Sequence, residues 1–176
     1  MSERNVAASS GRPDNLDFNL VDDQGRARRL ADFKDRYPLV FFGFTHCKVV
    51  CPRALNRLSG VIDRLGSRAD WLAPLYVSVD PDRDTPEVMR AFLQEAYPRF
   101  TGLTGDHTAI EAARSAFRVF AARRADPDDP EGYDMPHSAL TYLIGPDGKL
   151  VTHFADSVDA DKIVERLSAI LPVGAP

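Results

Sequence analysis

Apolar residues recur along this chain in two rhythms, one of period two and one of period 3.6, separated by turn-forming clusters. Phe18 and Leu20 alternate with polar neighbours and are followed by Asp-Asp-Gln-Gly. That pattern predicts a β-hairpin over residues 18–30 and a short helical turn over 31–33. Residues 38–44, PLVFFGF, form an unbroken β-rich run, the mark of a strand covered on both faces. Leu55, Leu58, Ile62 and Leu65 then share one helical face, with Pro52 suited to the first helical position and Gly66 as the stop. A strand is expected over residues 75–79. Thr85-Pro86-Glu87 opens a second helix with Val88, Phe92 and Ala96 inward. Residues 100–103 read as a short strand. Asp106 or Thr108 caps a third helix whose stripe is Ile110, Ala113, Phe117 and Phe120. Strands at 139–144 and 150–154 flank Pro146-Asp147-Gly148, which predicts an antiparallel hairpin. Asp159 caps a last helix bearing Ile163, Leu167 and Ile170.

Alternating strands and helices predict an α/β domain with a central mixed sheet flanked by helices and an added N-terminal hairpin. The order resembles the thioredoxin-like fold. With 176 residues, 44% of them hydrophobic, the chain can fill one core. The domain is expected over residues 16–172, behind a disordered tail, or trimmed precursor end, over 1–15. No apolar run approaches the ~20 residues of a membrane span. The first residues lack the apolar region of a secretory signal. A net charge of −4 argues against a nucleic-acid binder. Arg123-Arg124 and the acidic run after them read as a solvated loop, with residues 125–136 expected to be mobile.

Both cysteines lie in FFGFTHCKVVCPRAL, as Cys47 and Cys51. They sit at the turn from the first core strand into its helix. Backbone N–H groups and the helix dipole favour a thiolate at Cys51. Closing so short a loop would restrict the unfolded chain little, so a stabilising disulfide explains the pair poorly. Thiol-disulfide enzymes of this fold generally use C-x-x-C. Here Lys48, Val49 and Val50 intervene, and both sulfurs can also converge on one soft ion such as Cu(I). A third ligand must then come from elsewhere. His46 reads as an orienting or solvent-facing residue, His107 as a surface or capping residue, and His153 as exposed on an edge strand. His137 precedes a core strand and can lie over the cysteine turn. The residues alone leave it open between a ligand and a plain loop histidine. Met135 reads as a hydrophobic plug rather than a soft ligand.

Three segments together resemble the Sco/SenC family of copper chaperones for cytochrome c oxidase assembly: FFGFTHCKVVCPRAL, SVDPDRDTPE (residues 78–87) and HSALTYLIGPDGKL (137–150). The resemblance spans about residues 17–171. It implies a thioredoxin-like fold with an added hairpin and one copper ion held by Cys47, Cys51 and His137. It implies a copper-accepting oxidase subunit, or another thiol-containing protein, as partner, and an extracytoplasmic setting: the bacterial periplasm or the outer face of the inner membrane. Family members commonly carry a membrane anchor that this chain lacks, so it is expected to be a truncated soluble domain. Where the family usually has Pro-Asp-Val between the cysteines, this chain has Lys48-Val49-Val50. Asp84 is expected in loop and helix-cap chemistry, and Asp80 is open between that role and one near the metal.

Three other uses of the thiols compete. A thiol-disulfide oxidoreductase would use Cys47 and Cys51 as attacking and resolving thiols and would not need His137. A thiol peroxidase would need a strongly activated, exposed thiolate. A redox or copper sensor would bind without transfer.

Overall fold

Residues 38–44 form the middle of the molecule, as their unbroken apolar character requires. The computed structural model describes residues 16–130 and 132–176. The tail expected over residues 1–15 lies outside the described residues. In chain order the elements are β1 (Asn19–Asp22), β2 (Ala27–Arg29), β3 (Tyr37–Gly43), α1 (Val50–Arg64), β4 (Leu72–Ser78), α2 (Pro86–Ala96), β5 (Thr101–Thr104), α3 (His107–Phe117), β6 (Arg124–Ala125), β7 (Tyr133–Asp134), β8 (Leu140–Ile144), β9 (Leu150–Ala155) and α4 (Ala160–Ile170). Single 3-10 segments follow β2 and α1.

Seven strands make one mixed sheet in the order β2-β1-β5-β4-β3-β8-β9. Its centre, β5-β4-β3, is parallel, and β8 and β9 add antiparallel strands on one side. The β1–β2 hairpin extends the other side through an antiparallel β1–β5 contact. This is the mixed sheet with an added hairpin that the pattern predicts.

Alternation along β3 and β4 assigns the helices to faces. On one face Tyr76 stacks on Phe92 of α2 and on Phe41, and it also interacts with Cys51 of α1. Helix α4 packs against α1. On the opposite face Phe42 meets Phe117 of α3 at 5.3 Å between ring centres. Gly43 ends β3 where nothing larger fits, because a Cβ there would lie 2.5 Å from the Tyr76 hydroxyl.

Two helices depart from the expected phase or length. In α2 the buried residues are Met89 and Leu93, followed by Tyr97, whereas Val88 and Ala96 are exposed and Phe92 is half-buried. The stripe is thus displaced by one residue from Val88, Phe92 and Ala96. Helix α3 ends at Phe117 because Arg118 adopts the left-handed conformation (φ 54°), so Phe120 leaves the stripe and is 65% exposed. Helix α1 begins at Val50, which moves Pro52 from the first to the third helical position, where an N–H is still not needed. Strand β4 starts three residues before the expected position, its opening disguised by Pro74.

Candidate metal centre

Strand β3 delivers the chain to the C-terminal end of the sheet's parallel strands at Phe44, and α1 begins six residues later. Cys47 and Cys51 bracket that turn. The Cys51 N–H donates to Cys47 Sγ at 3.3 Å. Cys47 is half-buried and Cys51 is fully buried. His137 arrives from the loop before β8, and its Nε2 lies 3.9 Å from Cys51 Sγ across a separation of 86 residues. Its Nδ1 lies 2.9 Å from the Met135 carbonyl oxygen. A carbonyl only accepts, so Nδ1 carries the proton and donates, which leaves the Nε2 lone pair turned toward the sulfur. At that separation the Cys51 sulfur and the His137 nitrogen could both hold one ion. Two soft sulfurs and an imidazole suit copper.

Acid–base chemistry separates the two thiols. Cys47 is pulled down to about 6, chiefly because the Cys51 thiol donates to its thiolate, with help from the Cys51 and Val49 N–H groups against the opposing effect of burial. Cys51 is pushed strongly upward by that same hydrogen bond and by burial. The thiolate expected at Cys51 therefore resides on Cys47: the first turn of α1 aims a backbone donor at Cys47, while Cys51 points into the core. Tyr76 closes the floor. Its hydroxyl donates to the Phe44 carbonyl at 2.9 Å, and burial holds its phenol well above the ordinary range.

Asp84 ties the cysteine turn to the sheet. It accepts from Thr45 N, Thr45 Oγ1 and Ser78 Oγ. It is not the helix cap that the sequence suggests, because Thr85 caps α2 by accepting from Val88 N. Burial raises the Asp84 carboxyl despite those donors. Asp80 is buried and accepts from Arg83 Nε at 2.5 Å and from the Tyr133 hydroxyl at 2.7 Å. His46, Asp80 and Asp84 bring ligand atoms within 4.8 Å of one another. Both carboxylates are already supplied with donors, so this group reads as structural. His46 is exposed beside Thr45 Oγ1, His107 is exposed and pairs with Asp82, and His153 is exposed on the edge strand β9. Met135 is buried in the core.

The acidic stretch is exposed along most of its described residues, as a solvated loop is, and it also carries local pairing. β6 and β7 pair within it, Lys48 bridges to Asp126 at 3.0 Å, and Arg124 bridges to Asp134 at 3.2 Å. It forms one wall of a cleft of about 420 Å³ whose other wall is the cysteine turn. Tyr133, Arg83 and Arg123 were not singled out for a role in the sequence. The one signal for them is an aromatic residue placed among acidic ones just ahead of His137.

Residues 7–172 match the family model described as SCO1/SenC. A SCO2-like protein of Rickettsia felis is 36% identical over 151 residues, 86% of this chain and 74% of that protein. Copper-bound ScoI of Bradyrhizobium japonicum superposes with a TM-score of 0.79 at 35% identity, over 88% of this chain and 98% of the other. Copper-bound ScoI of Arabidopsis thaliana superposes with a TM-score of 0.81 at 28% identity, over 87% and 94%.

Proposed function

The chain belongs to the SCO1/SenC family, and from that premise we propose that it is a copper metallochaperone whose cargo is held by Cys47 and Cys51 as thiolates and by His137 as neutral imidazole. The observation that carries the reading is the third donor: His137 Nε2 lies 3.9 Å from Cys51 Sγ although no redox use of the thiols needs it. The copper-bound relatives of like fold support the same cargo. The chain's part is to present two sulfurs and one nitrogen, to hold the imidazole proton on Nδ1, and to leave Cys47 open at the cleft. Release proceeds by ligand exchange to a thiol-containing acceptor, the copper site of a terminal oxidase, in an extracytoplasmic setting. No helix among the described residues is long and apolar enough to cross a membrane.

Anaerobic Cu(I) titration of the reduced protein against a competing chelator, beside His137→Ala, tests the site. One-to-one binding weakened roughly tenfold or more by the substitution is expected. Binding indifferent to His137 would remove the three-ligand centre.

One observation favours a second reading. The low Cys47 thiolate beside a buried, protonated Cys51 is the arrangement of an attacking and a resolving thiol. Cys47 would attack an acceptor disulfide, and Cys51 would lose its proton and displace the acceptor thiolate, leaving a Cys47–Cys51 disulfide and a reduced acceptor. Turnover of a disulfide substrate unaffected by His137→Ala would favour it.

A further inference from the structure

Four residues before His137, the Tyr133 ring is clamped between two guanidinium groups. Arg83 lies 3.6 Å from the ring centre and Arg123 lies 3.7 Å from it. Stacked cations at that range attract the ring face, more strongly where water is excluded. The Tyr133 hydroxyl donates to buried Asp80, and Asp80 also binds Arg83. Arg123 reaches Asp82 at 3.6 Å, and so the sandwich is anchored at both faces to the segment between β4 and α2. The Arg83 guanidinium also lies 5.9 Å from the Phe44 ring centre, and Phe44 packs edge-on against the His137 ring at 5.7 Å. Met135, between Tyr133 and His137 in sequence, is buried, and its carbonyl oxygen accepts from the His137 Nδ1.

The geometry points to Tyr133 as a positioning residue for His137, acting through the Arg83–Tyr133–Arg123 sandwich and not by touching the metal. This rests on His137 being the third ligand. The loop carrying His137 is tied to α3's exit by the Ala121–His137 bridge and by the Ala122 N–H to Pro136 oxygen bond. Those bonds set its height on the sheet. They leave its approach to the cysteine turn to the side chains, and the Tyr133 sandwich is the contact that joins it to the same β4–α2 segment to which Asp84 fastens Thr45. Both halves of the centre are thereby referred to the same β4–α2 segment.

The test is a double-mutant cycle read by Cu(I) competition titration, with Tyr133→Ala, His137→Ala and both together. Tyr133→Ala is expected to weaken binding roughly tenfold, the range for residues that orient a metal ligand, and to add nothing when His137 is already alanine. Tyr133→Phe, which keeps the sandwich, should retain most of the affinity. Arg123→Ala, a change at a largely exposed side chain, should reproduce the loss if Tyr133→Ala fails to fold. Metal-free reduced protein supplies a separate reading by NMR: the Phe44–His137 ring contact should be lost in Tyr133→Ala and kept in Tyr133→Phe. Unchanged affinity in Tyr133→Ala, or an undiminished loss in the His137→Ala background, would overturn the inference. Copper binding indifferent to His137→Ala would sink the three-ligand site, and the ring contact would still decide whether Tyr133 places His137.

Discussion

Cys47 and Cys51 are chemically unlike although they share one turn. The thiolate is the nucleophile, so alkylation of the reduced, metal-free protein should rise with pH through a midpoint near 6 and fall away below it, with Cys47 modified and Cys51 spared. Mass-resolved iodoacetamide labelling over pH 4–9 reads this directly. A midpoint in the ordinary range near 8.5 would show that the Cys51 donor does not depress Cys47. Gly43 poses a steric case. In Gly43→Ala the new methyl meets the ring and hydroxyl of Tyr76, which is fully buried and cannot swing away. A loss of about 1–3 kcal/mol is expected in denaturant unfolding, as for other overpacked cores. A neutral result would mean that β3 and β4 part more easily than their register implies. The cysteine pair could be found from residue type, spacing and place in the strand–helix turn. The asymmetry between the two thiols could not, because it arises from burial and from one N–H direction, both tertiary properties.

Secondary structure was readable wherever one face is clearly apolar, as in β3 and α1. It failed where two phases compete. Within α2 the residues Val88, Phe92 and Ala96 form a plausible stripe, yet Met89 and Leu93 point inward because Gly102 leaves room beneath them on β5. In α3 the periodicity continues to Phe120, but Arg118 turns left-handed and ends the helix. Nothing in an arginine announces that conformation, which normally favours glycine. Arg118→Gly should therefore raise stability by up to about 1 kcal/mol; equilibrium unfolding that shows a loss would indicate that the Arg118 side chain contributes contacts worth more than the strain. The β6–β7 ladder lies in a stretch whose acidic, proline-containing composition reads as solvated. Lys48 supplies a partner to Asp126 from outside the run, and within the ladder Arg124 of β6 pairs with Asp134 of β7.

The three candidate ligands come from two segments that the sheet brings together. A ligand that binds the folded chain and not the unfolded one stabilises it by mass action, about 4 kcal/mol at a thousandfold excess over its dissociation constant. Cu(I) added to the reduced protein should therefore raise the unfolding temperature, and His137→Ala should shrink that rise. Equal unfolding temperatures with and without metal, at concentrations where binding is saturated, would argue against a centre spanning both segments.

The separation of 86 residues between Cys51 and His137 also has a bearing on timing. Long-range contacts form late, after the loops between them have closed. A chain emerging from synthesis, or threaded unfolded through a membrane pore, would offer an ion only two neighbouring thiols until β8 has been made and docked beside β3. At the proposed three-ligand centre, tight capture would thus be postponed until the domain is essentially complete, and an ion held by all three groups would report that folding has finished.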